Sequence, residues 1–101
     1  MILTPKLIGH RGVKSLSPEN TLASIKLAQT LGLKWIEVDV KISKDEVPIL
    51  LHDDTLDRTT NGKGLPTDHN YEELKKLDAG SYFYKESTNI YIPTLEEILS
   101  F

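Results

Sequence analysis

Two histidines, an arginine and a pair of acids are the residues here whose types could do chemistry together. His10 and Arg11 lie in G-H-R-G, Glu37 and Asp39 in W-I-E-V-D-V, and His52 ends the run V-P-I-L-L-H. Glu37 and Asp39 stand two apart, which on an extended chain puts both carboxylates on one face. Side by side, they offer oxygen ligands to a hard divalent cation such as Mg²⁺ or Ca²⁺. Without a cation they would repel, and one would tend to keep its proton. Imidazoles titrate near neutral pH, so His10 and His52 suit a general acid and a general base. Arg11 brings a planar fork for a phosphate or carboxylate. The combination describes metal-assisted phosphoryl transfer. Taken singly, each residue has a plainer reading. Alternating acids favour a solvated strand face, although Trp35 sits on that face too, and His52 or His10-Arg11 could occupy an ordinary turn.

These residues need elements to position them. Lys6 to Gly9 reads as a short buried strand that opens into G-H-R-G, where Gly9 and Gly12 permit a tight turn. Ser17-Pro18 predicts a helix start, Ser as N-cap and Pro at the first helical position. Leu22, Ile25, Ala28 and Leu31 make its apolar stripe, with Gly32 as the stop. Lys34 to Val40 is the second strand, with Ile36, Val38 and Val40 towards the core. The order strand, helix, strand is a βα unit leading into a further strand, parallel to the first. Val47 to Leu51 is a third strand. K-I-S-K-D-E before it is too short for a helix, so the chain either forms a hairpin about Asp45-Glu46 or returns extended to a parallel strand. A hairpin would set Asp39 across from His52; a parallel strand would bring His52 to the same sheet end.

Asp53 to Asn70 is rich in turn formers and reads as a long loop of the kind that is often functional. It includes G-K-G, too short to be a phosphate loop, and His69, read as a surface residue. Asn70 then caps a short helix, Tyr71 to Leu77, with Glu73 placed for a capping box. Thr94 and Glu97 repeat that signature before a helix from Leu95 to Ser100.

Composition narrows the class. The chain has 101 residues, 39% hydrophobic and 27% charged, with a net charge of −3 and no cysteine. It is one soluble globular domain at most. Its scattered basic residues argue against a nucleic-acid partner. The lack of cysteine excludes disulfides and thiolate metal sites and fits a cytoplasmic setting. Pro5 and Lys6 interrupt any leader or membrane span at the N-terminus.

The blocks G-H-R-G, S-P-E-N-T, I-E-V-D-V, L-L-H-D-D-T-L-D-R-T-T-N-G-K-G, L-K-K-L-D-A-G-S and I-P-T-L-E-E, in this order, resemble the glycerophosphodiester phosphodiesterase family. The resemblance implies an α/β fold of the TIM (β/α)8 type, with the site at the C-terminal ends of the strands. His10 and His52 then resemble the acid and base pair, and Arg11 the phosphate-holding residue. Glu37 and Asp39 resemble two of three carboxylate ligands for a divalent cation. The implied reaction cleaves a small-molecule glycerophosphodiester to sn-glycerol 3-phosphate and an alcohol, within glycerophospholipid metabolism. Residues 53–93 match where the family carries its insertion. Two departures stand out. Asp45-Glu46 replaces a usual Asp-Gly, and a full barrel needs about 250 residues. Residues 1–101 are thus expected to be a single, incomplete N-terminal portion, with the third carboxylate and its following lysine beyond Phe101. The rest of the barrel is the expected partner of its open strands. A rival reading is a truncated fragment that keeps the motifs without turnover.

Overall fold

Ser17-Pro18 does not start the first helix. In the computed structural model, which describes residues 8–101, helix α1 runs Leu22–Thr30 with Thr21 as its N-cap, accepting from the Ser24 N–H. The delay comes from Asn20, whose φ of 55° is left-handed and cannot continue a helical turn. Asn20 donates its N–H to the Arg11 carbonyl at 2.8 Å, so Ser17 to Asn20 are committed to the turn after strand β1, Ile8–His10. The start of the expected strand, Lys6 and Leu7, lies outside the described residues. Ser24, Ile25 and Ala28 form the buried face of α1. Leu31 is not on it, because it is the C-cap. Gly32 ends the helix as expected, at φ 79°, with its N–H bonded to the Gln29 carbonyl and that of Leu33 to Ala28.

The expected second strand is broken. Strand β2, Trp35–Glu37, pairs parallel with β1, with His10 opposite Glu37. Strand β3, Val40–Ile42, turns away and pairs antiparallel with β4, Pro48–Leu50. Val38 and Asp39 lie between, and the Asp39 N–H goes to the Asn20 side chain at 3.2 Å. Of the two routes open in the sequence, the hairpin is the one taken. Its loop spans Lys44 to Glu46, with the Glu46 N–H on the Ser43 carbonyl and Glu46 left-handed at φ 64°. The register sets Val40 against Leu50, and the Leu51 N–H reaches the Asp39 carbonyl, so Leu51 rather than His52 stands across from Asp39.

Residues 53–70 form an irregular segment carrying one 3₁₀ turn, Pro66–Asp68. Helix α2, Tyr71–Leu74, is shorter than expected. Asn70 is its N-cap without a side-chain bond, and the Glu73 carboxylate goes to His69 instead of closing a capping box. A helical turn that the pattern did not reveal, α3 at Ser81–Tyr84, follows Gly80. Helix α4, Leu95–Ser100, has the full capping box of Thr94 and Glu97. The core lies in this second part of the chain: Ile49, Leu51, Leu56, Leu74, Ala79 and Ile92 are buried together. By contrast Ile8, Trp35, Ile36, Val40 and Ile42 stay 37–62% exposed. The expected packing of Ile36 and Val40 into a core is therefore absent here, since no described element covers that face.

Candidate active site

The turn that presents His10 and Arg11 depends on Gly12. Arg11 and Gly12 are both left-handed, at φ 54° and 79°, and a Cβ on Gly12 would collide with the Ser24 side chain. That serine holds the turn from behind, accepting from the Val13 N–H and donating to the Arg11 carbonyl. The backbone thus bends so that the carboxylates reach its outer face. The Arg11 N–H donates to Glu37 Oε1 at 3.3 Å, and His10 Nε2 lies 3.6 Å from the same oxygen.

The Arg11 side chain sits between two further acids. Its Nε lies 3.5 Å from Asp39 Oδ2, and one terminal nitrogen reaches both oxygens of Glu19 at 3.4 Å. Asp39 is oriented by Asn20, whose amide donates to Oδ2 at 3.1 Å. Arg11 Nε is buried and makes no hydrogen bond. A buried donor without a partner is costly in a finished core and normal where a ligand is expected.

His52 stands on a bend just past β4. Its Nδ1 lies 2.8 Å from Asp53 Oδ1, and its carbonyl accepts from Lys41 Nζ at 2.8 Å. Asp53 also accepts from Arg58, Nε to Oδ2 at 2.8 Å. Arg58 first, and then His52, hold the Asp53 carboxyl far below the usual carboxylate range. In turn Asp53, followed by Glu19, raises Arg58 further above its ordinary value. Arg58 reaches Glu19 at 2.6 Å, and the Glu19 N–H donates to the Tyr82 hydroxyl at 2.8 Å, so α3 braces this junction.

The structure therefore joins His10, Arg11, Glu37 and Asp39 directly. His52 connects to them through Asp53, Arg58 and Glu19. Sequence reasoning quoted those last three residues within motifs and assigned them no role. Glu19 and its partner Arg58 are 39 positions apart, so neither carried a local signal. The donors at Glu37 and Asp39 suit a hard cation in kind, being carboxylates with loosely satisfied oxygens. They would supply two ligands to such an ion. Among the described residues no group of three His, Asp or Glu side chains is arranged around a common metal position.

The sequence model of the Glycerophosphoryl diester phosphodiesterase family matches residues 10–101. A glycerophosphodiester phosphodiesterase of Caldanaerobacter subterraneus subsp. tengcongensis is 48% identical over 92 residues, covering 91% of this chain and 38% of the relative. The structure superposes on an Oleispira antarctica phosphodiesterase in complex with the product sn-glycerol-3-phosphate, with a TM-score of 0.90 and 49% identity, over 95% of this chain and 39% of the other. It also superposes on a glycerophosphodiester phosphodiesterase of Agrobacterium tumefaciens str. C58, with a TM-score of 0.89 and 41% identity, covering 42% of that chain. The expected fold is thereby met: the chain forms the N-terminal part of a TIM-type barrel. It spans well under half the length of these relatives.

Proposed function

The chain belongs to the glycerophosphoryl diester phosphodiesterase family, and on that premise we propose that it supplies the acid–base and phosphate-binding part of a phosphodiesterase site. The substrate is a glycerophosphodiester, cleaved to sn-glycerol 3-phosphate and an alcohol. One observation carries this reading. Both histidines belong to a single continuous network with Arg11 at its middle, its backbone N–H on Glu37 and its guanidinium on Glu19, rather than to separate surface turns. In the proposed course Arg11 holds the phosphate. One imidazole takes the proton of the glycerol's own neighbouring hydroxyl as it attacks phosphorus, the other protonates the departing alcohol, and water then opens the cyclic phosphate to sn-glycerol 3-phosphate. Glu37 and Asp39 would hold a divalent cation, Mg²⁺ or Ca²⁺, which supplies Lewis-acid stabilisation of phosphate charge when bound. The segment 53–93 would shape one wall of the substrate pocket. A role in lipid metabolism and a cytoplasmic setting belong to the same reading, the latter supported by the absence of cysteine. No helix among the described residues is long and apolar enough to cross a membrane.

The test is release of choline from glycerophosphocholine, with and without a chelator. Turnover should be abolished by the chelator and restored by Mg²⁺ or Ca²⁺. His10→Ala and His52→Ala should each lower it by at least about 100-fold. Chelator-resistant turnover, or turnover unchanged in either variant, would defeat the assignment. A second reading is favoured by the exposed strands β2 and β3: the chain alone keeps the motifs without turnover and needs the remaining barrel. Activity restored by adding a polypeptide with the later barrel strands would support it.

A further inference from the structure

Arg58 is nearly half exposed, yet four of its five N–H donors are engaged by carboxylates. Nε and one terminal nitrogen hold Asp53 at 2.8 and 3.0 Å. The terminal nitrogens hold Glu19 at 2.6 and 3.2 Å. A guanidinium committed on both sides has no fork left for a substrate phosphate. Its position suits a strut. At one end is Glu19, whose side chain is only 7% exposed. At the other end is Asp53, in contact with His52 Nδ1. Neighbouring side chains on an extended chain point to opposite faces, so the His52–Asp53 contact requires the bend there and something to hold it. The Lys41 bond to the His52 carbonyl fixes the backbone side of that bend.

We propose that Asp53, braced by Arg58 against the buried Glu19, is the positioning residue that holds His52 in the Nδ1–H tautomer and leaves Nε2 as the nitrogen for proton transfer. An ionised carboxylate can only accept, so the ring nitrogen facing it must carry the hydrogen. Arg58 keeps that carboxylate both charged and aimed. The catalytic consequence rests on the function proposed above; the tautomer does not.

The test is long-range ¹⁵N–¹H spectroscopy of the ¹⁵N-histidine-labelled chain, at a pH where His52 is neutral. The wild-type spectrum should show His52 as Nδ1–H. Asp53→Ala and Arg58→Gln should each convert it to a mixture or to Nε2–H, while the methyl spectrum around Ile49 and Leu56 stays unchanged. Where either variant fails to fold, Asp53→Leu or Arg58→Lys replaces it; Lys keeps the charge without the two-sided fork and should give a partial loss. An Nε2–H wild type, or an Nδ1–H signal undiminished in a folded variant at either position, overturns the proposal. In a glycerophosphocholine assay the same variants should lower kcat by about 10- to 100-fold with little change in KM. A chain with Nδ1–H and no turnover, even after the later barrel strands are added, would defeat the proposed function and leave this assignment standing.

Discussion

Arg11 and Arg58 meet on the same buried carboxylate, Glu19, and are held very differently. Arg58 has short bonds to two carboxylates, the shortest 2.6 Å. Arg11 has contacts of 3.4–3.5 Å and a buried Nε without a hydrogen bond. The contrast extends to the regions that carry them. The His52 region rests on a core supplied by β4, the following loop and α2, all within the chain. The His10 region rests on β1 and β2, whose apolar side chains meet little else. One half of the candidate site is thus preorganised and the other is left open. Catalytic groups need rigid support to hold a productive geometry. The open half is also where a cation and a phosphate are proposed to bind, so its loose contacts mark groups with unused capacity.

The contrast can be broken most directly by truncating one apolar residue from each region. Leu56 is fully buried, and Leu56→Ala should cost about 3–4 kcal/mol. Trp35→Ala, in exposed β2, should cost no more than about 0.5 kcal/mol. Urea midpoints at unchanged m-value measure both. Equal losses would mean that β2 is buried in solution and the open half does not exist. Somewhat smaller is the expected effect of Gly12→Ala, about 2–3 kcal/mol, because it adds a collision with Ser24 to a left-handed φ. A loss confined to the His10 region, seen as faster amide exchange in β1 and α1 only, would sharpen the division.

Asp78 tests the closed region by pH. Burial works against its ionisation, but hydrogen bonds from the Thr88 side chain and from the Thr88, Gly80 and Ser81 N–H groups outweigh that and lower its pKa from 3.8 to about 2. A carboxyl depressed on folding stabilises the protein above its unfolded value and loses that contribution as pH falls through the folded one. Stability should therefore drop between about pH 4 and pH 2 through this group. Asp78→Asn should flatten that part of the profile and cost about 1–2 kcal/mol at pH 7. The smallest effect is expected at the hairpin. Glu46→Gly relieves a left-handed φ of 64° and should stabilise by about 0.5–1 kcal/mol after the entropy of glycine is offset.

Local rules were legible wherever a few neighbouring residues decide the outcome. Gly32 stops α1, and Thr94 with Glu97 starts α4, because those bonds close within a turn. The order of the motifs was sufficient to name the family. Local signals failed where a distant partner took the same group. Asn20 belongs to a helix start by pattern, yet it clasps Asp39 and pushes that start back to Leu22. Glu73 had the spacing of a capping box but pairs with His69. The strand from Lys34 to Val40 reads as continuous, and it breaks because its two ends find different partners.

By itself the sequence determined the family and the class of barrel the chain belongs to, since residue type and order are properties of the chain alone. Only the tertiary structure decided that Glu19 gathers both arginines and that His52 is reached through Asp53 and Arg58. Those bonds join residues up to 39 positions apart, and no local spacing encodes such a meeting. Folding brings them together, and a buried carboxylate then takes the cations that can neutralise it.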